Sequence, residues 1–365
     1  MDDMKIELVP EHIKKIIPYL PGKPLSEVER ELGLKDVVKL ASNENPLGPS
    51  PLAIEAIKKH INEVNLYPDN GVYYLRKKLA SILNLSMEQV IIGNGTTDIL
   101  GDIARTFLGP EDYAIVADQT FLVYRLAVQA VNGNLITVPL KNYTYDLPAM
   151  AKAVTPHTKL VYIANPNNPT GTMVTGEEFD RFLNSIPEDI VVALDEAYYE
   201  YIQDPAYPDS FKYVREGRPV IVLRTFSKIY GLAGLRIGYA VAPEELIRYL
   251  IKVKCLFNTS HLAQVGAMAA LDDHDFVTKG KRVNKEGYQF LSEELKKIKV
   301  EFIPSVGNFI LLILQEDPYK VYQKLLRKGV IVRPMKMWNL PQELRVTIGT
   351  HQQNLRFIKA LKESL

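Results

Sequence analysis

Short apolar runs recur along this chain, and they constrain its fold more than any other feature. They are Val90 to Ile92, Tyr113 to Ala117, Lys159 to Ala164, Ile190 to Leu194 and Val220 to Leu223. Each reads as a buried strand. Amphipathic helical patterns lie around them, as in Ala53 to Val64 and Ile99 to Phe107. Such alternation predicts an α/β fold with a mostly parallel sheet covered on both faces. In open sheets of this kind, ligands bind at the carboxyl ends of the strands.

Four of these strand ends carry side chains that ordinary turns do not need. Val220 to Leu223 leads into Thr225-Phe226-Ser227-Lys228, and Arg236 follows eight residues after the lysine. A lysine held away from water or near other cations loses basicity and can condense with an aldehyde. Thr225, Ser227 and Arg236 suit a phosphate, as two hydroxyl donors and one planar cationic fork. Ile190 to Leu194 ends in Asp195-Glu196-Ala197-Tyr198-Tyr199. A carboxylate at the end of a buried strand is costly without a partner, and a protonated pyridine nitrogen is such a partner. Tyr198 can donate to an oxygen on the same ring. Lys159 to Ala164 runs into Asn165-Pro166-Asn167-Asn168-Pro169-Thr170-Gly171, where Asn168 offers an amide donor and two X-Pro bonds invite a cis peptide. Val90 to Ile92 runs into Gly93-Asn94-Gly95-Thr96-Thr97-Asp98, a glycine turn before a helix start. Free N–H groups there make an anion site, and Gly95 lets a phosphate come close to the backbone.

Each segment alone has a plainer reading: a surface lysine, an Asp or Thr helix cap, a proline-rich loop. Jointly they ask for one small molecule with an aldehyde, a phosphate and a pyridine ring, which is pyridoxal phosphate. The segments Asn165 to Gly171, Asp195 to Tyr199 and Thr225 to Tyr239, in this order, resemble the fold type I pyridoxal-phosphate-dependent aminotransferases, class I/II. The resemblance covers nearly the whole chain. Pro18 to Lys23 and Lys39 to Pro49 narrow it to the histidinol-phosphate aminotransferases, a family within that class.

The resemblance implies a seven-stranded-type, mostly parallel sheet in a large cofactor-binding domain, with a smaller α+β domain. It implies that Lys228 bonds to the cofactor aldehyde and later shuttles the proton. Asp195 would pair with the pyridine nitrogen, and Asn168 and Tyr198 would bind the phenolic oxygen. Gly95, Thr96, Thr97, Thr225, Ser227 and Arg236 would hold the phosphate. Phe121, after the strand Tyr113 to Ala117, would stack on the ring, where many relatives carry tyrosine. Tyr67 matches a tyrosine that reaches the phosphate bound by a neighbouring subunit, so a homodimer with composite sites is expected.

The implied reaction exchanges the amino group of histidinol phosphate with 2-oxoglutarate, giving imidazole acetol phosphate and glutamate, within histidine biosynthesis. One site must then accept a phosphate and carboxylates in turn, which favours arginine forks. Arg345 matches the family's anion-binding arginine; Arg333, Tyr19 and Asn45 are further candidates. An aromatic or broad-specificity aminotransferase would keep every cofactor residue. A threonine-phosphate decarboxylase is built on a similar sequence and would need no 2-oxoglutarate.

Composition agrees with these readings. The chain has 365 residues, and 47% are apolar, which suits a globular protein of about two domains. A net charge of +1 makes no electrostatic case for a nucleic-acid or membrane partner. The single cysteine, Cys255, fits a reducing compartment and a cytoplasmic protein. Met1 to Lys5 does not read as a signal peptide. The six histidines are scattered, and none shows metal-ligand spacing. The expected division is an N-terminal arm over residues 1–45 packing with the small domain, a large domain over 46–255 and a small domain over 256–365. Glu244 to Phe257 reads as a long connecting helix.

Overall fold

A computed structural model describes residues 8–365. The leader question at Met1 to Lys5 lies outside the described residues. A two-residue strand, β1 (Val38–Lys39), follows a short helix, Leu25–Leu32.

The next strands build one sheet: β2 (Val90–Gly93), β3 (Tyr113–Ala117), β4 (Asn134–Val138), β5 (Thr158–Ala164), β6 (Val191–Asp195), β7 (Val220–Thr225) and β8 (Gly238–Val241). These seven strands lie in the order β2-β8-β7-β6-β5-β3-β4. β8 runs antiparallel to both of its neighbours, and every other pairing is parallel. Every residue of β6 and β7 is buried. This follows from their unbroken apolar runs, because helices cover both faces of a parallel sheet. Helix Thr96–Phe107 is one cover, turning Ile99, Leu100, Ile103 and Ala104 into the core.

A second sheet comes from the C-terminal region. It contains β9 (Glu301–Ile303), β10 (Phe309–Ile313), β12 (Arg333–Pro334) and β13 (Glu343–Thr347), in the order β12-β13-β10-β9, all antiparallel. Strand β11 (Val330–Ile331) pairs instead with β1, in parallel. Val28, Leu40 and Ala41 join a second core with Leu291, Leu312, Val321 and Phe357. The N-terminal segment is therefore tied by backbone and side chains to the C-terminal layer, beside the ends of β5 to β7.

The connecting helix is shorter than the sequence predicts. It covers Glu244–Val253, because Lys254 turns to extended backbone (ψ 134°) and Phe257 takes a positive φ of 52°. The Phe257 N–H donates to Asn70 Oδ1 at 2.6 Å, a bond that a continued helix would forfeit. Both X-Pro bonds flagged in the sequence, Asn165-Pro166 and Asn168-Pro169, are cis.

Candidate active site

β5, β6 and β7 end side by side, so the sheet places Asn168, Asp195 and Lys228 on one wall. They line a chamber of about 250 Å³ together with Thr96, Thr97, Phe121, Tyr198, Thr225, Ser227 and Arg236. An adjoining chamber of about 120 Å³ shares Phe121, Asn168, Tyr198 and Lys228 with it, and adds Tyr19, Asn43, Arg333, Trp338 and Arg345. The sequence-predicted groups therefore converge from the strand ends, the N-terminal segment and the C-terminal sheet.

Asp195 is 4% exposed and accepts hydrogen bonds from Tyr124 Oη at 2.9 Å and from the Ala197 N–H at 3.1 Å. Burial pushes its carboxyl up to about 6, against these two bonds. An anion there is under-compensated, which suits a cationic ring nitrogen as its missing partner. Tyr124 was not anticipated. It sits on helix Val123–Ala130, stacks on Tyr162 at 5.0 Å and is fully buried. Phe121 lies just before that helix and meets Tyr124 edge to face at 5.7 Å, a contact that the sequence alone does not mark.

Lys228 Nζ donates to the Ser42 carbonyl at 3.1 Å. Burial, and next the positive charge of Arg345, lower its ammonium to about 8. A substantial share of free amine is then present near neutral pH, the state that attacks an aldehyde. Tyr198 is buried at the other side, 5.5 Å from Lys228 Nζ at its ring centroid, and Asn43 Nδ2 donates to its Oη at 2.9 Å.

The phosphate candidates form a cradle. Gly95, at φ 76°, is the N-cap of helix Thr96–Phe107, and no side chain caps that end. A Cβ added at Gly95 would stand 2.6 Å from Arg236 Nη2, so the glycine keeps open the space between the helix start and the guanidinium. Thr225 Oγ1 donates to Ser227 Oγ at 3.0 Å, and Arg236 Nη1 approaches the same oxygen at 3.5 Å. Uncapped helix N–H groups, two hydroxyls and one cation fit a phosphate in chemistry and in placement. With the desolvated Asp195 and the weakly basic Lys228, these residues fit pyridoxal phosphate.

Arg333 and Arg345 face one another across the β12–β13 pair. Both are buried, at 9% and 6% exposure. Arg345 donates to Asn168 Oδ1 and to the Ala41 carbonyl, and its Nε has no partner among the described residues. The bond to Asn168 leaves that residue's Nδ2 as the group available to a ligand. Arg333 donates to the Leu20 carbonyl at 2.5 Å and lies over the rings of Tyr19 and Trp338, at 5.4 and 5.1 Å. Tyr19 is half exposed at the mouth.

Two candidates stand apart. Asn45 lines neither chamber: its Nδ2 donates to the Ile229 carbonyl at 2.6 Å and its Oδ1 accepts from the Leu47 N–H at 3.0 Å. With both ends of its amide engaged, it shapes the loop, and Asn43 takes the place at the wall. Tyr67 is 84% exposed, packs on Phe257 at 4.9 Å and lines an open cleft with Asn94 and Arg236, outside the Lys228 chamber of its own chain.

Residues 35–361 match the family described as aminotransferase class I and II. The chain is 50% identical to a histidinol-phosphate aminotransferase of Moorella thermoacetica, over 100% of this chain and 95% of that protein. It is 47% identical to one of Caldicellulosiruptor saccharolyticus, over 97% and 99% of the two. Its fold is similar to the crystal structure of histidinol-phosphate aminotransferase from Sinorhizobium meliloti in complex with pyridoxal-5'-phosphate, with a TM-score of 0.91, 26% identity and coverage of 99% and 98%.

Proposed function

This chain belongs to the class I and II aminotransferases and, within them, to the histidinol-phosphate aminotransferase family, and from that premise we propose how its residues divide the work. It is a pyridoxal-phosphate-dependent transferase that moves the amino group of L-histidinol phosphate to 2-oxoglutarate, yielding imidazole acetol phosphate and L-glutamate, a step of histidine biosynthesis.

The cofactor, when bound, supplies an aldehyde that takes up the amino group and a ring that accepts an electron pair. Lys228 Nζ holds the aldehyde at rest and, once released, is the base that takes the proton from the substrate's amine-bearing carbon. Asp195 keeps the ring nitrogen protonated, and Tyr124 orients Asp195. Asn168 Nδ2 and Tyr198 Oη donate to the phenolic oxygen. Phe121 covers one ring face. Gly95, Thr96, Thr97, Thr225, Ser227 and Arg236 hold the phosphate.

The observation that carries the substrate assignment is the arginine pair beside Lys228. Arg345 and Arg333 offer two planar forks in one small chamber, so a distal phosphate and a dicarboxylate can bind there in turn. Tyr19 closes the mouth above Arg333. The test is a half-reaction followed by absorbance. Histidinol phosphate alone should bleach the visible band of the lysine-bound cofactor, and 2-oxoglutarate should restore it. Bleaching by phenylalanine but not by histidinol phosphate would move the chain to the aromatic aminotransferases. Lys228→Ala should remove turnover while leaving the fold intact.

The same reading includes a homodimer, a cytoplasmic site of action and the division into arm, large domain and small domain at about residues 45 and 255. Val64, Leu66 and Phe257, exposed at 44% to 64%, line the same open cleft as Tyr67, an apolar surface that a second copy would cover. Tyr67 would then reach the phosphate bound by that second copy. Among the described residues no helix is long and apolar enough to cross a membrane. Two hydrophobic cores support a large and a small domain: Ala263, Ala267, Ala270 and Leu271 pack into the first, and Leu291, Leu312 and Phe357 join Val28, Leu40 and Ala41 in the second.

A further inference from the structure

His60, Glu63 and His261 take no part in the proposed chemistry. The sequence shows no metal-ligand spacing among its histidines, yet the fold brings these three side chains together. His60 ends helix Pro51–His60, Glu63 lies one 3₁₀ turn later, and His261 opens helix His261–Ala270. One donor atom from each lies within 4.8 Å of the other two. His60 Nδ1 is 3.0 and 3.1 Å from the two Glu63 oxygens. The two imidazole rings meet edge to face, with centroids 5.4 Å apart.

His261 Nε2 is shut off from solvent and 2.8 Å from Glu63 Oε2, yet it lacks the alignment of a hydrogen bond. In a hydrogen bond the N–H axis points at the oxygen. In a chelate, both lone pairs point at a third position between them. We propose that His60, Glu63 and His261 form a site for a divalent transition-metal ion of the zinc class, with water as the fourth ligand. Two imidazoles and one carboxylate are a recurrent zinc donor set, and metal–ligand bonds of about 2.0–2.2 Å require donors roughly 3.4 Å apart. The Glu63 contacts at 2.8 to 3.1 Å and the 4.8 Å limit on the whole set bracket that separation.

The site joins two segments that meet around Tyr67. Residues 60–70 carry Tyr67, which packs on Phe257, and Asn70 Oδ1 accepts from the Phe257 N–H. Gln264 Nε2 adds a bond to the Asp69 carbonyl at 3.0 Å. A metal at His60, Glu63 and His261 clamps the other end of this contact, so it stabilises the surface that presents Tyr67.

The probe is zinc chloride, titrated calorimetrically into the chelator-washed holoenzyme. One equivalent should bind per chain, and zinc should raise the melting temperature. His60→Ala and His261→Ala should each weaken binding by about tenfold or more and remove the thermal shift. Their retained visible cofactor band shows that the fold survives. Cys255→Ser and His351→Ala serve as controls and should bind zinc as wild type does. Absence of binding that saturates near one equivalent overturns the proposal. So does zinc binding that persists in the His60 and His261 variants, or that disappears with Cys255.

Discussion

Asp195 shows how a single residue can oppose the empty fold and serve the loaded one. In the cofactor-free chain, burial raises its carboxyl from 3.8 to about 6. The folded state then holds the proton more tightly than the unfolded state. This contribution to stability is complete below about pH 4 and is lost as pH rises through about 6. Asp195→Asn keeps an acceptor for Tyr124 without the charge. It should stabilise the cofactor-free protein by about 2–3 kcal/mol at pH 8, with the gain vanishing toward pH 4. Urea unfolding of the two proteins at both pH values checks this. With cofactor bound the sign reverses, because the ring nitrogen loses its counter-charge, and affinity should fall. Arg345 is the second test at this scale. Arg345→Ala should raise KM for histidinol phosphate and for 2-oxoglutarate by about tenfold or more, the worth of a charge-assisted hydrogen bond. Arg345→Lys should fall between, since it keeps the charge but not the fork. Steady-state kinetics with each substrate varied in turn would show a shared anion site; a rise for only one substrate would refute it.

Elements determine which of these residues meet. The parallel pairing of β5, β6 and β7 aligns Ala164 with Asp195 and Asp195 with Leu223, so the following turns open on one chamber. Behind that wall, Arg224 and Glu196 form a buried ion pair at 2.8 Å, and the Arg224 guanidinium lies 3.3 Å from the Tyr199 ring centroid. Tyr207 Oη donates to Glu196 at 2.9 Å. These contacts fix the ends of β6 and β7 against each other. Gly231, at φ 69°, shapes the loop after Lys228: a Cβ there would stand 2.1 Å from the Gly48 carbonyl oxygen. At the helix that starts at Thr96, Gly95→Ala should weaken cofactor binding by about tenfold or more. The added methyl would push on Arg236 and cost the equivalent of one charged hydrogen bond. Fluorescence titration of the cofactor-free variant measures it, and an unchanged affinity would remove Gly95 from the cradle.

At the scale of the whole molecule, the question is whose phosphate Tyr67 reaches. Tyr67→Ala and Lys228→Ala place defects in different parts of the proposed composite site. Unfolding and refolding the two variants together should restore activity that neither has alone, because one site of each mixed dimer regains both residues. If Tyr67 serves its own chain, mixing restores nothing. Size-exclusion chromatography with light scattering tests the dimer separately.

The strand ends and the glycine turn were legible in the sequence from local chemistry, and the order of the motifs from the family resemblance. An apolar run must be buried, a charge at its end needs a partner, and a glycine before a helix leaves N–H groups free. The sequence therefore pointed to the α/β class and the cofactor, and it put forward Lys228, Asp195, Asn168, Tyr198 and Arg236, which the fold gathers around one chamber. It could not place residues whose meaning depends on distant neighbours. Tyr124 under Asp195, Asn43 in place of Asn45, and Arg333 paired with Arg345 all follow from strand register and loop closure. The gathering of His60, Glu63 and His261 belongs to the same kind. Contacts between residues hundreds of positions apart are set by how sheets and helices pack, and only the tertiary structure decides them.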